Sequence, residues 1–140
     1  MIWKNKSTVE QLQARSHHTL SDHLGIVFTE VGEDYLCAKM PVDHRTRQPM
    51  GMLHGGASVV LAETLGSVAG VMSVDSNTQS IVGLDINANH MRPVKEGFVY
   101  GRVSPLHFGK TTQVWHIEIK NEEGKLVCVS RLTIAIVELK

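Results

Sequence analysis

Gly55-Gly56-Ala57-Ser58-Val59-Val60-Leu61-Ala62-Glu63-Thr64-Leu65-Gly66-Ser67-Val68-Ala69-Gly70-Val71-Met72-Ser73 is the stretch that decides the fold. No proline interrupts it, and its length fits one helix from Gly55 to about Ser73. Wound at about 3.6 residues per turn, Val59, Val60, Leu61, Leu65, Val68, Val71 and Met72 fall almost all round the axis. A helix apolar on every side must be enclosed. Ala62, Gly66, Ala69 and Gly70 supply points of close approach. The length would also suit a membrane span. Against that, Glu63, the glycines and the serines lower the hydropathy, and no flanking basic or aromatic belt compensates. The stretch reads as the core helix of a globular domain.

Outward from this helix the pattern changes to strands. Before it, Ile26–Val31 and Tyr35–Val42 read as a hairpin joined at Gly32-Glu33-Asp34. Thr8 to about Arg15 predicts a short helix, with Ser7-x-x-Glu10 and Thr8-x-x-Gln11 as competing capping boxes. After it, Ser80–Met91, Gly97–Ser104, Thr112–Lys120 and Lys125–Val137 alternate or run apolar. Turn signals lie at Val94-Lys95-Glu96-Gly97 and Asn121-Glu122-Glu123-Gly124. Successive strands with tight turns suggest an antiparallel meander, curled around the helix on one face. The fold class is α+β, a single domain over residues 1–140.

Lysine plus arginine and aspartate plus glutamate balance at 14 each in 140 residues. No net field draws the chain to nucleic acid or to a membrane surface. Cys37 and Cys128 sit in alternating apolar stretches and read as buried, reduced thiols rather than a disulfide framework. Met1-Ile2-Trp3-Lys4 lacks the apolar run of a secretory signal, so the expected location is the cytoplasm.

Glu63 is the only ionisable side chain between His54 and Asp75. A carboxylate in apolar surroundings costs several kcal/mol unless it is hydrogen-bonded, protonated or wet. Two readings follow: a solvated stripe on an otherwise buried helix, or a pocket that meets the helix at Glu63. Ser67, one turn on and on the same side, suits a water or the carboxylate itself. Gly66 leaves room for a substrate. At the helix entrance, Gly55 and Gly56 block nothing, and first-turn N–H groups have no intrahelical partner. Aimed at a carbonyl oxygen, with the positive helix end behind them, they would polarise it. An electrophile clamp with a carboxylate two turns later is a layout for acyl transfer.

These residues carry a resemblance. Gln48-Pro49-Met50-Gly51-Met52-Leu53-His54-Gly55-Gly56-Ala57-Ser58, followed by Leu61-Ala62-Glu63 and Gly66-Ser67, resembles the hotdog-fold acyl-CoA thioesterases of the phenylacetate-degradation type. Nearly the whole chain is similar to one branch. That branch holds hydrolases of 1,4-dihydroxy-2-naphthoyl-CoA in menaquinone synthesis and proofreading thioesterases of enterobactin synthesis. The resemblance implies a curved antiparallel sheet wrapped around the long helix. It also implies a homodimer with active sites at the subunit interface, and dimers paired into a homotetramer. Glu63 would be nucleophile or general base, the Gly55 amide would polarise the thioester carbonyl, and Gln48 and His54 would orient the carbonyl or water. Ser67 would support a water near Glu63. The substrate-binding stretches map onto Gly83, onto His90, Met91, Arg92 and Pro93, and onto His107, Phe108, Gly109, Lys110, Thr111 and Thr112. Arg92 and Lys110 suit phosphate charge, and Gly109 lets backbone amides approach it. Met50 departs from the phenylalanine that relatives often carry. No metal and no organic cofactor is expected; water is the second substrate.

Other constellations carry less. His17, His18 and His23 lack a His-x-x-x-His spacing or a Cys or Asp pairing that would complete a metal site. His116 alternates with Trp115 and Ile117 as a sheet residue, and Trp3 and Trp115 suit core or interface packing. Ser58 and Ser67 lack a Gly-x-Ser-x-Gly elbow, which argues against a serine hydrolase. The leading expectation is hydrolysis of an aromatic acyl-CoA. A proofreading thioesterase acting on an aryl carrier protein, a non-catalytic acyl-CoA sensor and a hotdog dehydratase are the alternatives. A sensor usually carries an attached effector domain, and a dehydratase more naturally pairs His with Asp or Glu.

Overall fold

A computed structural model describes residues 1–140. The elements are α1 (Val9–Arg15), α2 (Leu20–His23), β1 (Val27–Val31), β2 (Leu36–Pro41), α3 (Gly55–Ser73), β3 (Gln79–His90), β4 (Phe98–Phe108), β5 (Thr112–Lys120) and β6 (Leu126–Glu138). Six antiparallel strands form one sheet in the order β1-β2-β4-β5-β6-β3. The sheet curls around α3, which is the hotdog arrangement the sequence suggests.

The order corrects the meander. β4, β5 and β6 do follow one another, but β3 pairs with β6 at the far edge, Ile81 opposite Ile136 and His90 opposite Cys128. β4 pairs instead with β2, Met40 opposite Val99. The helix separates β2 from β3 in sequence, so the chain crosses the sheet before β3 is laid down. This pairing is non-local, and turn signals report only local pairing. β4 also continues past Ser104 through Pro105 to Phe108, with a bulge between Pro105 and His107 that accommodates the missing N–H.

At the N-terminus the competing capping boxes resolve in favour of Thr8. Its hydroxyl accepts the Gln11 amide at 3.1 Å and the Gln11 side chain accepts the Thr8 amide at 2.9 Å. The turn before β6 contains Gly124 at φ 77°, a conformation that favours glycine.

One side of α3 enters the core. Leu61, Ala62, Leu65, Ala69 and Met72 pack under Val99, Val103, Trp115, Ile117, Leu132 and Ile134. Gly66 is part of this contact: a Cβ there would lie 2.6 Å from Leu132 Cδ2. It therefore makes helix–sheet packing and not substrate room, a correction to its expected role. A buried polar chain pins the end of the helix to β5. Gln113 Nε2 donates to Ser73 Oγ at 2.7 Å, and Trp115 Nε1 donates to Gln113 Oε1 at 2.9 Å. Trp3 stacks on Trp115 at 6.3 Å between ring centroids. Both tryptophans are core, as expected. Cys37 is half-buried and Cys128 buried, both free, and burial raises each thiol above its ordinary pKa.

The helix is not enclosed on every side within one chain. Glu63 is exposed and Val71 is 41% accessible, while Val59, Val60 and Val68 are half-buried. The helix is long and apolar enough to cross a membrane, but half of it is buried inside the fold, as in the core helix of a globular domain.

Candidate active site

The entrance of α3 is built by the loop before it. The Asp43 carboxylate accepts the Arg45 amide at 2.9 Å and pairs with its guanidinium at 2.8 Å. These contacts with Arg45 hold the Asp43 carboxyl at about 2, below its ordinary 3.8. Thr46 Oγ1 donates to the Pro41 carbonyl at 2.8 Å, and the His54 amide donates to the Thr46 carbonyl at 2.8 Å. The ends of the Gln48 loop meet at an Arg47–Leu53 bridge.

His54 is the N-cap. Its Nδ1 accepts the Gly56 amide at 2.8 Å, so the neutral ring carries its proton on Nε2. Ala57 and Ser58 donate to the His54 carbonyl. The remaining first-turn N–H, that of Gly55, takes no partner in the chain's hydrogen-bond network. It sits at the positive end of a helix of 19 residues. Beside it lies His90, at the end of β3: a Cβ on Gly55 would come within 2.9 Å of His90 Nε2. Gln48, Met52, Gly55, Ser58, His90, Met91, Arg92 and Pro93 line a cavity of about 340 Å³ here. Arg92 extends across its edge and donates to the Leu126 carbonyl at 2.9 Å.

Glu63 stands elsewhere on the same helix. It lies against the middle of β3, with Oε2 3.6 Å from where a Gly83 Cβ would be. Ser67 is half-buried one turn further and shares a second cavity, of about 330 Å³, with Thr64, Val68 and Val71. Ser67 makes no hydrogen bond to Glu63. The stretch His107–Thr112 lies at the opposite end of α3. Phe108, Gly109 and Lys110 line a third cavity with Ser73 and Gln113. The Gly109 amide donates to the Thr112 carbonyl at 2.8 Å, closing the turn between β4 and β5. Phe108 meets Trp115 edge-on at 5.3 Å, and the Thr111 carbonyl accepts the Ile136 amide.

The expected site residues thus form three groups strung along one helix. Gly55 and Glu63 differ by eight residues, about 12 Å of helix axis. Their strand neighbours His90 and Gly83 are seven residues apart, roughly 20 Å of strand. One thioester carbonyl spans about 3 Å to each group acting on it. The clamp and the carboxylate of a single chain cannot meet on it, which corrects the single-helix layout.

Residues 50–128 match the family model of the thioesterase superfamily. The chain belongs to that superfamily. This thioesterase is 59% identical over 135 residues to a Vibrio cholerae protein assigned to the esterases, covering 96% of this chain and 89% of that one. It is 55% identical over 136 residues to the 1,4-dihydroxy-2-naphthoyl-CoA hydrolase of Escherichia coli, covering 97% and 99%. The crystal structure of a Haemophilus influenzae thioesterase superposes with a TM-score of 0.96 at 51% identity, covering 99% of this chain and 96% of that one. The thioesterase is an enzyme that hydrolyses acyl thioesters.

Two features of the thioesterase escaped the sequence. The ring of His90 over Gly55 joins residues 35 positions apart, which no spacing signals. The helix α2 is only four residues long; its one signal is Thr19-x-x-Asp22, where the Thr19 hydroxyl accepts the Asp22 amide.

Proposed function

We propose that this chain hydrolyses aromatic acyl-CoA thioesters at sites assembled from two copies of itself. The observation that carries the reading is the pairing of a partnerless Gly55 N–H in a cavity with a Glu63 carboxylate on the open face of the same helix. Gly55 of one copy polarises the carbonyl, and Glu63 of the other supplies the attack. Gln48 and His54 orient the carbonyl or water beside Gly55, with the Nε2–H of His54 as donor. Ser67 holds a water near Glu63. Glu63 acts either as nucleophile, breaking the C–S bond and expelling the coenzyme A thiolate to give a mixed anhydride that water then opens, or as general base toward a water that expels the same thiolate. The relative that acts on 1,4-dihydroxy-2-naphthoyl-CoA supports the aromatic acyl group. Arg92, His90 and Met91, on the wall of the Gly55 cavity, and Lys110 at the far end of α3 are the groups assigned to coenzyme A.

Two features support the second copy. β3 is 12 residues long and lies at a sheet edge, with Val82 and Leu84 in it, and Met91 just past its end, more than half exposed. Such an edge is a template for another strand. The open positions Glu63 and Val71 of α3 add a helix surface left uncovered within one chain. We assign the dimer, paired into a tetramer, to this edge and helix surface, read residues 1–140 as one domain, and place the enzyme in the cytoplasm.

A second reading is a proofreading thioesterase acting on acyl groups held by an aryl carrier protein. A Cronobacter sakazakii proofreading thioesterase, 52% identical over 136 residues, favours it. Comparing kcat/KM for benzoyl, hydroxybenzoyl, dihydroxynaphthoyl and straight-chain thioesters of coenzyme A with the same groups on a carrier protein separates the two. Higher kcat/KM on aromatic coenzyme A thioesters is the expected result. Hydrolysis confined to carrier-bound groups establishes the second reading, and hydrolysis of none overturns both.

A further inference from the structure

The α1–α2 segment has no part in the chemistry described so far, yet it forms one wall of the cavity beside Ser67. Leu12, Phe28, Val68 and Met72 make that cavity apolar, and its volume of about 330 Å³ is at the small end for ligand pockets. Inside this lining one polar pair stands out. Ser21 Oγ, at the start of the α2 turn, lies 3.1 Å from Thr64 Oγ1 on α3. Two hydroxyls hold two O–H donors, and their mutual bond uses one. One donor and several lone pairs are left for a third partner. Arg15 also reaches the cavity, but its guanidinium donates to Ser7 Oγ at 2.6 Å.

Thr64 follows Glu63 directly in α3, and Ser67 belongs both to the open face of Glu63 and to the cavity wall. A thioester whose carbonyl carbon is at Glu63 can therefore extend its acyl portion past Ser67 between α3 and α1. A compact, flat, apolar body suits the walls, and a hydroxyl on it suits the free donor and acceptors of the pair.

We infer that this cavity receives the acyl group and that the Ser21–Thr64 hydroxyl pair selects hydroxylated aromatic acyl groups over unsubstituted ones. The inference rests on the thioester hydrolysis proposed above and deepens it by assigning acyl specificity to the α1–α2 segment. Each hydrogen bond to a substituent contributes about tenfold to such a preference.

The test uses the full-length enzyme and four probes: benzoyl-CoA and its 2-, 3- and 4-hydroxy derivatives. The quantity read is the ratio of kcat/KM for each hydroxylated probe to that for benzoyl-CoA. For at least one isomer the wild-type ratio should exceed one and fall about tenfold in Ser21→Ala and in Thr64→Val. Thr64→Ser keeps the hydroxyl and should keep the ratio, which separates hydroxyl recognition from a loss of packing. Ratios unchanged in both variants for every isomer overturn the inference while leaving thioester hydrolysis intact. An equal loss in Thr64→Ser and Thr64→Val also overturns it. Absence of wild-type hydrolysis of all four probes overturns the proposed function together with it.

Discussion

The Glu63 carboxylate lies against Gly83 of β3, with Oε2 3.6 Å from the position a Cβ would take there. This separation is ordinary van der Waals contact, so a methyl group fits sterically while lying against the carboxylate. Gly83 therefore gives the carboxylate a flat, open approach in the strand that leads to His90.

Gly83→Ala should consequently fold with stability changed by less than about 1 kcal/mol, because nothing is overpacked and the position is exposed. Its turnover should fall, because the methyl group narrows access to Glu63. Chemical denaturation alongside steady-state hydrolysis of an aryl-CoA checks both halves. A stability loss that matched the activity loss would make Gly83 a folding residue only.

The proposed mechanism gives His54 a second duty, separable from its place as N-cap. As N-cap, its Nδ1 holds the Gly56 amide, and removing a cap costs about 1 kcal/mol. His54→Ala should lose that stability, and His54→Asn should recover most of it by capping with its side-chain oxygen. Neither variant restores the Nε2–H donor beside Gly55, so both should remain slow. Full activity in His54→Asn would confine His54 to the cap.

Assembly of each site from two copies predicts complementation. Chains carrying Glu63→Gln and chains carrying Gln48→Ala, given different tags and co-expressed, form mixed dimers. One site of each mixed dimer then contains an intact Gln48, Gly55 and Glu63, while its mate is damaged twice. Purified mixed dimers should therefore regain hydrolysis that neither parent homodimer has. Mixed dimers no more active than the parents would place each site within a single chain.

The core of this fold was legible because its signals are local. The unbroken apolar run from Gly55 to Ser73 is the helix, and the strands appear within a few residues of their expected bounds. The capping residue Thr8 sits where helix-start chemistry places it, whereas His54, outside the usual N-cap residues, shows its cap only in the structure. Long-range relationships were not legible. The alternation of Ser80–Met91 says strand but cannot say that its neighbour is β6 and not β4. The periodicity of α3 says apolar all round but cannot say that Glu63 and Val71 stay open within one chain. At the site, Gly55 and Glu63 stood out as residue types, whereas the ring of His90 over Gly55 and the meeting of Ser21 with Thr64 across 43 positions are set only by the tertiary fold.

The most direct measurement is the turnover of Glu63→Gln on an aryl-CoA that the wild type hydrolyses. Glutamine keeps the size of the side chain and removes the charge and the basicity. With Glu63 as nucleophile or base, kcat should fall by about 10²–10⁴-fold or more while circular dichroism and thermal stability stay at the wild-type level. Hydrolysis near the wild-type rate by a folded Glu63→Gln enzyme would contradict the account.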